Sequence, residues 1–191
     1  MIILMNSFCY FFVTIVDKSI INKAIINKAT MEMILLLLLC FQFEEHPKKT
    51  VKQNGMEVSW FIQDNRVYFE MQAPTEGWVA IGLHTKNQLQ GTNLIMGSIS
   101  NQGLKVEDHY IQAVGKHQET KAIGGGNALL DTHGKASKTQ TTIAFSLPLQ
   151  APDIFHKNLK EGKTYYLLMA YSEEDDFQHH SRMRTTISIT L

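Results

Sequence analysis

Two adjacent imidazoles and two guanidinium groups lie near the end of this sequence, in the segment Phe-Gln-His-His-Ser-Arg-Met-Arg at positions 177–184. A neutral imidazole is the commonest protein ligand of metals, and iron is one of the metals that it suits. A β-strand presents neighbouring side chains to opposite faces, so one of His179 and His180 could enter a pocket while the other faces water. Taken alone, the segment favours the plainer alternative, a polar strand entry whose histidines are solvated.

The overall composition limits what the chain can do. Its 191 residues carry a formal net charge of +0, with 44% hydrophobic and 19% charged residues, which is ordinary for one globular domain. A nucleic-acid groove needs an excess of lysine and arginine, so we expect no nucleic-acid partner. No residue pair has the spacing of a general acid and base. The Gly-Gly-Gly run at 124–126 also lacks the residues of a phosphate-binding loop. We therefore expect a binding protein and not an enzyme.

The first 45 residues differ from the rest of the chain. Residues 31–45 contain a short apolar run that ends in Glu-Glu. The run fits a signal-peptide core and is shorter than the roughly 20 residues of a transmembrane helix. We interpret 31–45 as a signal-like segment and 1–30 as an upstream extension or a disordered stretch. This predicts an exported protein (periplasmic, cell-surface or secreted). Two alternatives stay open, a buried helix at 34–43 and acylation of Cys40, which would attach the chain to a membrane.

From residue 46 onward, short β-branched or aromatic runs alternate with turn residues. The runs at 56–62 and 66–73 flank Gln-Asp-Asn and have the pattern of a hairpin. Similar runs follow at 78–83, 92–99, 105–113, 139–147, 164–172 and 184–191, and only 152–159 has a weak helical pattern. Eight or nine short strands predict an all-β fold over 46–191, an antiparallel immunoglobulin-like β-sandwich.

An ordered series of motifs in this part of the chain resembles the DOMON family. The series comprises Gly-Trp-Val-Ala-Ile-Gly-Leu at 77–83, Gly-Thr-Asn-Leu-Ile-Met-Gly at 91–97, Val-Glu-Asp-His-Tyr at 106–110, Thr-Ile-Ala-Phe-Ser-Leu-Pro-Leu at 142–149, Leu-Met-Ala-Tyr-Ser at 168–172 and His-Ser-Arg-Met-Arg at 180–184. The resemblance spans residues 51–191. The chain is most similar to short exported bacterial members that carry one such domain.

The resemblance implies a pocket between two sheets, which in cytochrome-type members holds b-type haem between a methionine and a histidine. His180 matches that histidine and is the implied iron ligand, and Arg184 matches an arginine that follows it. The methionine position falls on Leu89, which has no donor atom, and Met96 and His84 are among the nearest substitutes. A pair of histidine ligands would lower the reduction potential relative to Met/His ligation. The full set expected to bind the cofactor is His180, His179, His84, Leu89, Met96, Trp78 and Arg184.

Strand register gives a different expectation from the family match. If Ile187, Ile189 and Leu191 are buried, odd-numbered positions face the core, and extension straight back would bury His179 and expose His180. The family match points to His180 instead. We predict a bend near 181–183 that shifts the register, as bulges often do beside functional sites.

Two hypotheses follow for the function. The first is an exported DOMON ligand-binding module that binds b-type haem and takes part in electron transfer, with a small-molecule ligand or a redox partner protein as its partner. The second is a haem-free sandwich that binds carbohydrate or a partner at the cell surface, motivated by Leu89. In the second, Trp78, Tyr171 and Gln178 would make the contacts.

Trp78 and His109 also have interpretations that involve no ligand. Trp78 falls within an apolar strand pattern and so also fits a core position. His109 beside Asp108 fits an oriented ligand or base, although we expect a surface cross-strand pair.

Overall fold

The structure is a computed structural model, described for residues 47–191. The signal-like segment at 31–45, the stretch 1–30 and Cys40 lie outside the described residues. Within the described part, no helix is both long enough and apolar enough to span a bilayer.

Residues 47–191 form two antiparallel sheets, which confirms the predicted all-β sandwich. The strands are β1 (Lys49–Gln53), β2 (Met56–Gln63), β3 (Arg66–Ala73), β4 (Val79–His84), β5 (Asn93–Ser100), β6 (Gly103–Ala113), β7 (Lys116–Glu119), β8 (Leu130–Ser137), β9 (Gln140–Pro148), β10 (Thr164–Tyr171) and β11 (Met183–Thr190), with a 3₁₀ turn at Thr120–Ile123. One sheet has the order β1-β2-β3-β9-β8 and the other has the order β11-β10-β4-β5-β6-β7.

Tight turns set the register of the first two hairpins. Asn54 and Gly55 join β1 to β2 with φ values of 50° and 84°, and Asp64 and Asn65 join β2 to β3 with φ values of 49° and 59°. Two-residue loops with positive φ at both positions match the right-handed twist of the flanking strands. They also explain the strict alternation of buried and half-buried residues along β3.

The space between the two sheets is filled by side chains. Val67, Phe69 and Met71 of β3 belong to the same buried cluster as Leu167 and Met169 of β10. A gap at one end of this core, beside Leu83 and Leu147, measures only about 10 Å³. The expectation of a pocket between the sheets is therefore wrong, because close-packed aliphatic and aromatic residues occupy that layer.

The six-stranded sheet is apolar on both of its faces. All six residues of the central strand β4 are buried. A second apolar cluster covers the face that points away from the five-stranded sheet. Its members are Trp78, Ala80, Leu94, Met96, Ile111, Leu168, Ala170 and Phe177, with Leu89 packed against them. We call this surface the outer face of the six-stranded sheet.

Three edge strands were not predicted from the sequence. Strand β8 is exposed at every position, and β1 and β7 have no buried residue. Backbone hydrogen bonds hold these strands in their sheets, but their side chains are not buried. They therefore lack the apolar alternation that marks a half-buried strand. The weak helical pattern at 152–159 does not produce a helix, since that segment consists of bends, one turn and irregular backbone.

Candidate functional site

The outer face of the six-stranded sheet carries a cavity of about 150 Å³. Its apolar side is made by residues of the second cluster, from strands β4, β5, β6 and β10. The β6–β7 hairpin and the loop between β10 and β11 contribute the polar side. The polar or flexible lining residues are Gly115, Lys116, His117, Gln178, His179, His180, Ser181 and Arg184.

Six of the seven residues predicted to bind a cofactor line this cavity. They are His180, His179, Leu89, Met96, Trp78 and Arg184. The structure brings these six residues together around one cavity, on the outer face of one sheet instead of between two sheets.

The start of β11 explains why both histidines reach the cavity. Odd positions such as Ile187 and Ile189 pack against the core between the sheets, as predicted. The strand begins only at Met183, however, and the residues before it form turns. Strand parity therefore does not extend back to His179 and His180, which are both exposed at the rim.

His84 is the one predicted ligand that the structure places elsewhere. It is 7% exposed at the end of β4, and its Nδ1 accepts the Lys86 N–H at 2.7 Å. Burial lowers the pKa of His84, as do the charges of Lys157 and Lys86, so the ring is neutral. Because Nδ1 accepts a hydrogen bond, the proton of a neutral ring sits on Nε2, which leaves no lone pair for iron. The structure does not bring His84 and His180 into one site.

Trp78 is more than a core residue. Its ring is 4% exposed and belongs to the apolar cluster, yet its Nε1–H is buried without a hydrogen-bond partner. A buried indole N–H normally finds an acceptor. Because Trp78 lines the cavity, a bound molecule could supply that acceptor.

A chain of polar side chains runs along the outer face beside the cavity. Glu107 Oε2 lies 2.8 Å from His109 Nε2, and His109 Nδ1 lies 3.0 Å from His117 Nδ1. His109 is only 3% exposed. Burial lowers the pKa of His117, and the neighbouring His109 lowers it further. The expectation of a surface cross-strand pair at His109 is therefore wrong, because His109 and the neighbouring Asp108 are both buried. The two side chains lie on opposite faces of β6.

Asp108 faces the other side of β6, where it organises a second polar cluster. Asp108 Oδ2 lies 2.6 Å from His156 Nε2, and Asp153 Oδ1 lies 2.6 Å from His156 Nδ1. Burial alone would lower the pKa of His156, but hydrogen bonds and the charges of Asp108 and then Asp153 outweigh burial and raise it. The imidazolium form is therefore clamped between two carboxylates, a structural arrangement away from the cavity.

His117 is the cavity residue that the sequence interpretation missed. It lies on the unpredicted strand β7 and pairs with Ile111 across the β6–β7 hairpin. A turn glycine at Gly115, directly after the predicted strand at 105–113, was the available signal. Two histidines eight residues apart around such a turn can meet on one face of a hairpin.

Gly77 controls how the loop over the cavity is seated. A Cβ at this position would lie 2.5 Å from the Glu173 carbonyl carbon and 2.6 Å from the backbone of Glu174. We expect Gly77→Ala to displace the loop and to cost about 1–3 kcal/mol of unfolding free energy, the usual range for overpacking. Chemical denaturation measures this loss. Gly126→Ala is the matched control, because its nearest neighbour would lie at 3.5 Å. Equal stability of both variants would contradict the prediction.

The described residues thus form an antiparallel β-sandwich with a cavity on the outer face of one sheet. The sequence profile of the DOMON domain matches residues 52–172, well over half of the chain. The chain therefore belongs to the DOMON domain family.

One known protein is similar to this chain over much of its length. The chain is 24% identical over 136 residues to DBH-like monooxygenase protein 1 of Mus musculus, a match that covers 69% of this chain and 21% of that protein. The chain thus spans about a fifth of that relative.

Two solved structures share the fold. The cytochrome b domain of pyranose dehydrogenase from Coprinopsis cinerea superimposes with a TM-score of 0.56, covering 74% of this chain and 80% of that chain. The cytochrome domain of Myriococcum thermophilum cellobiose dehydrogenase gives 0.53, with 75% and 81% covered. Both are 8% identical to this chain, so they establish the fold alone.

Proposed function

We propose that this chain is an exported DOMON module whose cavity binds b-type haem and which takes part in electron transfer with a redox partner protein. The observation that carries the proposal is the cavity on the outer face, where an apolar floor meets imidazoles and cations at the rim. The proposal assigns a binding role and no catalytic residue.

The lining residues fit the chemistry of haem. The apolar floor suits the macrocycle, and Lys116 and Arg184 at the rim suit its two carboxylates. His180 would hold the iron, with His179 as the neighbouring candidate, whereas Leu89 has no donor atom. A cavity of about 150 Å³ is smaller than the usual site for a drug-sized ligand, so the macrocycle would be enclosed only in part. When bound, haem would supply a one-electron redox couple.

The relatives add support of a general kind. The two structural neighbours are cytochrome domains, which favours a haem ligand over other small molecules. Export is part of the proposal because the signal-like segment at 31–45 precedes the domain.

A haemin titration tests the proposal. We expect a Soret band in the wild-type protein and its loss in His180→Ala, because removing the imidazole removes the iron ligand. His133→Ala is the matched control, since His133 is an exposed histidine on β8 of the other sheet. His84→Ala should also keep the band. Absence of a spectral change in the wild-type protein would contradict the proposal. Loss of the band in His179→Ala, with retention in His180→Ala, would move the ligand to the neighbouring histidine.

Carbohydrate binding at the cell surface is the second candidate, favoured by the unpaired Trp78 Nε1–H in the cavity. Gln178 also lines the cavity and could bind hydroxyl groups, whereas Tyr171 packs in the core between the sheets. Three results together would establish this alternative. The protein shows no spectral change with haemin, it binds a soluble oligosaccharide, and Trp78→Phe loses that binding.

A further inference from the structure

One side chain holds the middle of the loop between β10 and β11 against the six-stranded sheet. Among residues 173–180, Phe177 alone is buried, at 3% exposure, and the other seven residues are exposed. Its ring belongs to the apolar cluster of the outer face and lines the cavity. Burial of an aromatic ring is the main hydrophobic contribution that such an exposed segment can make. Phe177 therefore determines whether this part of the loop stays on the sheet.

The ring of Phe177 sits in a position shaped by the β6–β7 hairpin. Lys105 Nζ lies 4.4 Å from the ring centroid, which is a cation–π contact. The His109 ring packs edge-on against it, with centroids 6.1 Å apart and planes inclined at 76°. The Phe177 carbonyl is a hydrogen-bond acceptor for the His117 ring. We call the position of the phenyl ring, beside Lys105, His109 and the apolar cluster, the Phe177 socket.

The two ends of the loop are fixed to the sheet by other bonds. At the first end, the Trp78 N–H donates to the Glu174 carbonyl at 3.0 Å. At the second end, the Ser172 hydroxyl donates to the His180 carbonyl at 3.1 Å. Because these bonds do not involve Phe177, the ends of the loop can stay in place when its ring leaves the socket.

The tip of the loop, residues 175–179, is a compact turn of its own. The Asp176 carbonyl accepts the His179 N–H at 2.9 Å, and the Asp176 carboxylate accepts the Gln178 N–H at 2.9 Å. In the described part of the chain, the hydrogen bonds and ring contacts that join this tip to the sheet all involve Phe177. The tip can therefore swing out as one unit once that ring is released.

The cavity beside the socket is small for the ligand proposed above. Its volume of about 150 Å³ is below the roughly 300–1,000 Å³ of ordinary ligand pockets. Since Phe177 lines the cavity, withdrawal of its ring would join the socket to the cavity. The enlarged site would keep its apolar floor and would gain Lys105 as a third cation beside Lys116 and Arg184.

We propose that Phe177 is a displaceable plug in the ligand site and that the tip of the loop is its lid. A flat aromatic ligand takes the place of the phenyl ring in the socket, under Lys105, and the tip swings out between its fixed ends. The plug lowers the apparent affinity by the fraction of molecules in which the socket is free. It therefore favours ligands whose aromatic surface fills both socket and cavity. This inference rests on the proposed use of the cavity as the ligand site.

Hydrogen exchange on the full chain without ligand tests the lid. In the wild type, we expect the Gln178 and His179 amides to be protected, but less than the amides of β10 and β11. In Phe177→Ala, the two tip amides should lose their protection while the strands keep theirs. Phe155→Ala is the matched control, because Phe155 packs edge-on against Tyr110 of β6, with centroids 5.2 Å apart, from a different loop. Equal protection of the tip in Phe177→Ala and in the wild type would overturn the proposal.

Haemin binding tests the plug. Removal of a fully buried phenyl ring changes an equilibrium by about ten- to a hundredfold, so Phe177→Ala should bind haemin more tightly and faster by a factor in this range. Phe155→Ala should bind haemin as the wild type does. Weaker or unchanged binding in Phe177→Ala would overturn the proposal, because the ring would then be part of the floor and not a competitor of the ligand.

A measurement on the unaltered protein covers the case in which Phe177→Ala fails to fold. In the haemin complex of the wild type, we expect the tip amides to exchange faster than in the free protein, and the amides of β10 and β11 to exchange more slowly. Slower exchange of the tip would overturn the proposal, since the loop would then close over the ligand with the plug in place. If neither the wild type nor Phe177→Ala gives a Soret band, haem is refuted as the ligand, and exchange without ligand decides the lid by itself.

Discussion

Replacing Asp108 by alanine should cause the largest loss of stability in this protein. The carboxylate is 3% exposed and accepts hydrogen bonds from Asn93 Nδ2 at 2.7 Å, Thr120 Oγ1 at 3.0 Å and the Ala128 N–H at 3.1 Å, besides its contact with His156. Removal of one partner of a buried ion pair costs about 3–5 kcal/mol because the other charge stays buried without compensation. Chemical denaturation of the wild type and Asp108→Ala measures the difference in unfolding free energy.

Two further variants separate charge from shape in this prediction. Asp108→Asn keeps the size of the side chain and one acceptor oxygen, so we expect a smaller loss than in Asp108→Ala. Glu70→Ala is the surface control, because Glu70 forms an exposed ion pair with Lys48 and such pairs contribute under about 1 kcal/mol. If Asp108→Ala and Glu70→Ala lose the same stability, the carboxylate does not organise the cluster.

His156 should make stability fall as the solution becomes alkaline. Its pKa is raised in the folded state above the ordinary value of 6.5, so the native protein holds a proton that the unfolded chain releases first. The stabilisation is complete below the unfolded pKa and is lost as pH rises through the folded pKa. His156→Gln removes this dependence, so the stability advantage of the wild type over the variant should shrink as pH rises above 6.5.

The comparison with His156→Gln is needed because other groups titrate in the same range. The pKa values of His84 and His117 are lowered, so each contributes stability that is lost as pH falls, the opposite sense. The Gly126 N–H, followed by His156, outweighs burial and lowers the pKa of Asp153, which acts only at acidic pH. Urea titrations of wild type and variant between pH 5 and pH 10 give the difference directly. A difference that stays constant across this range would show that His156 is not charged in the native state.

The fold class could be predicted from the sequence because the buried strands have clear hydrophobic patterns. Strand β3 alternates inward apolar and outward polar residues, and β4 is a continuous apolar run between two turns. Both patterns follow from the side-chain period of a strand. The edge strands β1, β7 and β8 bury too few side chains to produce such a pattern, so they could not be predicted from the sequence.

The residues that line the cavity could be predicted more fully than the face of the sheet on which the cavity lies. His179, His180 and Arg184 follow one another in the chain and reach the cavity together. The sequence could not show which side of the six-stranded sheet they would occupy, because β4 and β10 are apolar on both faces. The contact of Asp108 with His156, 48 residues away, could not be predicted either, because it depends on where a loop returns to the sheet.

The order in which the cavity residues occur along the chain has a consequence for how the site is made. Trp78 directly precedes β4, whereas Arg184 lies in β11, the last strand of the sandwich. Strand β4 pairs with β10 directly, so that Val79 lies opposite Tyr171. Pairings between strands so distant in sequence are slow to form. The cavity can be completed only after the last strand has been synthesised and has docked. A ligand would therefore meet a folded domain, and a ribosome-bound chain lacking β11 would expose the apolar outer face without part of its rim.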